Sequence, residues 1–160
     1  MTLFAQVTKK DVIFVITMRT YNHLILGGTF DHFHVGHELF ISTALKRGKR
    51  LTIGITTEVM YRHKLLASQI EPYKLRQSNI FSFIKKMRND CKNVTCIPLT
   101  DIYGTGLVDK TVDGIVVTQD TKKGGEIINK KRKVGVYPVS EKSWKDIGEW
   151  TQYYKNVVLK

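Results

Sequence analysis

The stretch "LILGGTFDHFHVGHELF", residues 24 to 40, decides the fold. Leu24 to Leu26 reads as a strand and Glu38 onward as a helix. Between them lie Gly27, Gly28 and three of the chain's five histidines, His32, His34 and His37. In an open parallel sheet, ligands bind beyond the carboxyl ends of the strands, and the first strand-to-helix turn is the favoured anion site. Paired glycines bring backbone close to a ligand, and the helix start presents free N–H groups and the positive end of its dipole. With a helix beginning near Val35, His34 and His37 stand three apart on its first turn, and Gly36 leaves the approach open. Three histidines so close in a turn rarely converge at tetrahedral geometry, and no cysteine or second acidic residue is near, which disfavours a metal. His32 reads as a surface residue. Simple capping of the helix is the other structural alternative, and phosphate handling is the preferred reading of the turn.

Working outward, apolar runs suited to buried parallel strands recur at 23–28, 51–56, 94–99, 114–118 and 134–139. Helical patterns separate them. In "GHELFISTALKRG" Leu39, Phe40, Thr43 and Ala44 form one stripe, with Gly48 as the stop. Residues 73–88 place Ile80, Phe83, Ile84 and Met87 on one face, and residues 143–154 do so with Trp144, Ile147, Thr151 and Tyr154. This alternation predicts an α/β fold, a three-layer Rossmann-like open sheet of mostly parallel strands. Residues 18–160 read as a single domain, and residues 1–17 as an N-terminal extension or an added edge strand.

Length and composition agree. A chain of 160 residues, 42% hydrophobic and 25% charged, makes one soluble domain with a real core and is not disordered. Its longest apolar run, "VIFVI" at 12–16, is too short to span a bilayer and lacks the pattern of a secretory signal, so a cytoplasmic setting is expected. Cys91 and Cys96 can form neither a disulfide framework nor a four-ligand zinc site, and read as buried free thiols. The net charge of +12 favours a polyanionic partner without choosing among nucleotide, phosphorylated metabolite, nucleic acid or acidic membrane.

"GGTFDHFHVGH" resembles the signature of the nucleotidyltransferase superfamily, a small-residue turn, Thr-Phe-Asp and then His-x-Gly-His. "HKLL" (63–66), "EPYKLR" (71–76), "IPLTDIYG" (97–104) and "DGIVVTQDTKKGGEIINKKR" (113–132) follow in the order and spacing of archaeal and eukaryotic phosphopantetheine adenylyltransferases. That group includes the adenylyltransferase half of the animal coenzyme A synthase. The resemblance spans residues 20 to 135. It implies an enzyme that moves AMP from ATP to 4′-phosphopantetheine, giving dephospho-coenzyme A and pyrophosphate. Both substrates are small molecules, and neither a membrane nor nucleic acid is an expected partner. Magnesium is expected to bridge ATP phosphates rather than to sit in a protein-built cage.

The acceptor phosphate is already an anion at neutral pH, so such catalysis is mainly positioning and electrostatics. By resemblance, His37 donates to the α-phosphate, His34 contacts the ATP phosphates and Thr29 holds the attacking phosphate. Lys64 places a mobile charge between the reacting groups. Gly28, Phe30, Thr118, Asp120, Thr121, Gly125 and Asn129 complete the ATP site, with Gly124 beside them. Asp101, Tyr103 and Gly104 line the acceptor's arm together with Thr29 and Lys64. Arg76 is a weaker candidate, equally readable as half of a helix-face ion pair.

One departure stands out. The family follows its last strand with a Ser-Ser-Thr/Ser segment that grips the β- and γ-phosphates, where this chain reads "VYPVSEKSWKDIGEW". Ser140 and Ser143, or Lys122 and Lys123, would have to substitute; otherwise activity is reduced or the role differs. Two other readings stay open. One is a cytidylyltransferase acting on a phosphorylated alcohol, although its Arg-Thr-x-Gly-Ile-Ser motif is missing. The other is a catalytically impaired nucleotide- or RNA-binding protein, suggested by "KKGGEIINKKRK" but lacking interleaved aromatics.

Overall fold

The predicted alternation is what the chain builds. The computed structural model describes residues 21–118, 121–132 and 135–138. Strand β1 (Tyr21–Gly28) leads to helix α1 (Val35–Arg47), β2 (Gly48–Thr56), the one-turn helix α2 (Glu58–Tyr61) and α3 (Tyr73–Arg88). Then come β3 (Val94–Leu99), β4 (Gly114–Val117), α4 (Lys122–Arg132) and β5 (Gly135–Pro138). The five strands lie in the order β3-β2-β1-β4-β5, and every pairing is parallel. The order reverses at β1, so a crevice opens beyond the carboxyl ends of β1 and β4, where an open α/β sheet binds ligands.

The strands read as continuous apolar runs because both faces are covered. Leu24 and Leu26 of β1 and Leu51, Ile53 and Ile55 of β2 pack with Phe40, Ile41 and Ala44 of α1 and Ile80 and Ile84 of α3. Ile25 turns to the other face and meets Ile115, Val117 and Ile128 in a second cluster under α4. Among the described residues, no helix is long and apolar enough to cross a membrane.

Several sequence expectations need correction. The buried stripe of α1 is Phe40, Ile41 and Ala44, with Leu39 only partly covered and Thr43 at its edge. Gly48 does end α1, but in an extended conformation (φ −110°) that already belongs to β2, so that strand starts three residues earlier than predicted. A left-handed cap closes α3 instead, at Asn89 (φ 64°). On α3 the expected Met87 is 41% exposed, while Arg76 joins Ile80 and Ile84 in full burial. Cys91 and Cys96 are free thiols but half-buried. The extension or edge strand read at 1–17, the helix read at 143–154, Asp120, Ser140 and Ser143 lie outside the described residues.

Candidate active site

Beyond Gly28 the chain turns through an expensive conformation. Phe30 (φ 54°) and His32 (φ 43°) both adopt left-handed backbone, which a bulky residue takes only when its surroundings over-determine it. Phe30 is 1% exposed, its ring set between Phe40 (centroids 6.3 Å apart) and His37 (5.2 Å). A Cβ on Gly28 would stand 3.1 Å from that ring, so glycine is what lets the aromatic wedge under the turn. Asp31 Oδ1 accepts from the Glu71 amide at 2.8 Å, and Glu71 Oε2 accepts from the His32 amide at 2.9 Å. Arg76 Nη1 donates to the Thr29 carbonyl at 2.6 Å. The turn is thereby tied from below by residues forty positions downstream.

The two histidines form one unit. His34 caps α1, its Nδ1 accepting from the Gly36 amide at 3.1 Å, which leaves the ring proton on Nε2. The His34 and His37 rings stack at 3.9 Å between centroids, and Phe33 packs on His37 at 5.6 Å. Burial pulls the His34 pKa from 6.5 down to about 4. Burial, with a smaller push from His34, takes His37 down to about 3. Both imidazoles are therefore neutral at pH 7, each with one N–H to donate and no charge to desolvate. His37 Nδ1 is buried and has no hydrogen-bond partner among the described residues.

A cavity of about 360 Å³ opens along the switch point. It gathers Gly28, Thr29, Lys64, Tyr103, Gly104, Thr121 and Gly125 of the predicted residues, with Gly124 beside them. Its floor is the α4-side face of the sheet, from Ile25 and Gly54 to Ile97 and Leu99. Leu99 shapes that floor: a Cβ on Gly27 would approach it at 3.1 Å, on Gly54 at 2.6 Å and on Gly104 at 2.5 Å. Lys64 is exposed at the rim, where a long cation keeps its mobility. The Thr56 hydroxyl donates to Thr29 Oγ1 at 3.2 Å, leaving the Thr29 proton free to be donated elsewhere.

Other predicted residues stand outside the lining, His34 and His37 among them. Phe30 can offer a ligand only backbone. Asp101 is exposed, and its Oδ1 accepts from the Tyr103 and Gly104 amides (2.7 and 2.9 Å), so it shapes the loop that carries those two residues. Thr118 and Thr121 bond each other, the Thr118 amide donating to Thr121 Oγ1 at 2.9 Å. Asn129 is half-buried on α4, with Oδ1 lacking a partner among the described residues. Arg132, at the end of α4, donates to the Gly106 carbonyl. His32 is 43% exposed beside Asp31 and Glu71, as a surface residue should be. Sequence reading undervalued Arg76, whose period-four spacing with Ile80 and Ile84 was the available signal. It missed Thr56 and Met60, which no pattern marked.

A profile of the cytidylyltransferase-like family matches residues 25–158. The phosphopantetheine adenylyltransferase of Pyrococcus horikoshii is 32% identical over 76% of this chain and 77% of its own length. That of Methanopyrus kandleri is 36% identical over 75% of this chain and 76% of its own. Among solved structures, the lipopolysaccharide core biosynthesis protein from Thermoplasma volcanium superposes with a TM-score of 0.55 at 19% identity. That match covers 74% of this chain and 96% of the other, a likeness of fold.

Proposed function

The chain belongs to the cytidylyltransferase-like family and is a relative of the phosphopantetheine adenylyltransferases, and from that premise we propose that it transfers AMP from ATP to the phosphate of 4′-phosphopantetheine. A phosphate oxygen of the acceptor attacks the α-phosphorus. The new phosphoanhydride bond forms as the bond to the β-phosphate's bridging oxygen breaks, and pyrophosphate leaves with the electron pair. Product and leaving group are dephospho-coenzyme A and pyrophosphate, made in coenzyme A synthesis.

The observation that carries this reading is the pair of neutral, stacked imidazoles capping α1 beside a glycine turn at the sheet's switch point. Neutral donors stabilise charge building on phosphate oxygens without first having to shed a hydration shell. His34, whose Nδ1 accepts from the Gly36 amide, donates through Nε2, and His37 donates its one N–H to the α-phosphate. Thr29, with its hydroxyl proton left free by Thr56, holds the acceptor phosphate. Lys64 reaches in from the rim to offset repulsion between the two polyanions. Gly124, Gly125 and Thr121 at the start of α4 cradle the nucleoside, while Tyr103 and Gly104 face the acceptor's arm. Among the described residues the cavity lining holds no carboxylate. Magnesium would therefore be held by phosphate and water oxygens rather than by protein, and would supply charge neutralisation there.

The direct test is pyrophosphate release from 4′-phosphopantetheine with ATP or CTP in magnesium buffer. Release with ATP and not CTP is expected. Release only with CTP and another phosphorylated alcohol would replace this reading with cytidylyl transfer, and release with neither would remove the enzyme.

A further inference from the structure

Arg76 is the most deeply buried charge among the described residues, at 0% exposure. Burying a guanidinium is costly unless it is well bonded, and its bonds run to neutral oxygens rather than to a carboxylate. Nε donates to the Glu71 carbonyl at 2.8 Å. Nη1 bridges the carbonyls of Thr29 (2.6 Å) and Thr56 (3.0 Å), one just past the end of β1 and the other closing β2. Nη2 faces the Tyr61 phenol at 3.5 Å, and the rings of Tyr61 and Tyr73 flank the guanidinium at 5.5 and 5.8 Å.

These partners are the supports of the proposed reacting groups. Thr29 holds the acceptor phosphate. The Tyr61 carbonyl accepts from the Lys64 amide at 2.8 Å, so the turn carrying Lys64 starts on a residue packed against Arg76. The Glu71 carbonyl held by Nε fixes the segment whose side chain and amide restrain His32 and Asp31. One planar fork of donors thus joins the end of β1, the end of β2 and the segment before α3.

We infer that Arg76 is a positioning residue that sets Thr29 and the Lys64 turn at the separation that phosphoryl transfer requires. This inference rests on the function proposed above. Lysine keeps the charge but has a compact head in place of the rigid fork and cannot span the three carbonyls. The test compares Arg76→Lys, and the uncharged Arg76→Gln should lysine fail to fold, with Ile84→Ala. That control empties a fully buried position two turns further along α3, one that makes none of the hydrogen bonds of Arg76.

One readout needs no substrate: hydrogen exchange at the His32 and Glu71 amides, corrected for global stability. It is expected to be at least tenfold faster in the Arg76 variant than in Ile84→Ala. The second is turnover with ATP and 4′-phosphopantetheine. We expect kcat to fall tenfold or more, with KM rising for the acceptor more than for ATP, while Ile84→Ala stays within threefold of the parent protein. Exchange no faster than in Ile84→Ala, or an unchanged kcat, overturns the inference. A parent protein that releases no pyrophosphate refutes the proposed function instead, and the exchange result alone then decides Arg76.

Discussion

Acid should destabilise this protein through the two imidazoles, and the size of the effect follows from their burial. An ordinary histidine takes up a proton near pH 6.5, whereas His34 in the fold does so only near 4 and His37 near 3. Above pH 6.5 both states are neutral and the residues contribute nothing to pH dependence. As pH falls from 6.5, the unfolded chain binds protons that the folded chain refuses, so stability drops until the folded values are reached. Between pH 7 and pH 5 the loss is about 1.8 kcal/mol for each residue. His23, lowered by burial and by Arg50 against the pull of Asp109 and Asp113, adds to the same slope. His34→Asn removes one titrating ring while keeping an oxygen able to cap the Gly36 amide, and His37→Asn removes the other. Urea unfolding at pH 7 and pH 5, at one ionic strength, gives the loss within each protein. Each variant should lose about 1.8 kcal/mol less than the parent over this interval, and His34→Asn slightly less still, because removing that ring lifts the pKa of His37 toward its ordinary value. Equal losses in all three proteins would refute the claim that these rings are held neutral.

Further outcomes follow from the same geometry. His37→Ala should slow turnover about 10²-fold, the scale of one deleted transition-state donor, with the circular dichroism spectrum unchanged; parental turnover removes its catalytic assignment. Lys64→Met should lower kcat at least tenfold without moving the melting temperature, since the side chain is exposed; a parental rate would reduce it to a surface lysine. Gly54→Ala drives a methyl to 2.6 Å from three atoms of Leu99, and overpacking of this kind costs about 1–3 kcal/mol. In a double-mutant cycle with Leu99→Ala the two losses should fall short of additive, and strict additivity would show that Leu99 does not fill the space above Gly54.

What the sequence disclosed and what it withheld divide along one physical line. The glycine turn, the helix start at Val35 and the His-x-Gly-His pair are consecutive residues whose roles follow from local backbone geometry, so they were legible. Alternating apolar runs revealed the parallel sheet for the same reason. Arg76 was misjudged because its partners are backbone carbonyls 5, 20 and 47 positions away, and a carbonyl carries no sequence signature. Phe30 was assigned to nucleotide from its place in the motif, whereas the left-handed turn buries its ring beneath His37. Asp101 was placed against the acceptor, but its short side chain closes on its own loop amides, a competition common to aspartate in turns. Leu99 passed unremarked because its importance lies in three glycines from separate segments that converge beneath it.

The most direct measurement is an imidazole nitrogen spectrum of the protein at pH 7 during titration with magnesium ATP. His34 and His37 are expected to begin as neutral rings, His34 with its proton on Nε2, and both signals to move on saturation while exposed His63 stays in place. Rings already protonated at pH 7, or His34 and His37 signals unmoved at saturating ATP, would contradict it.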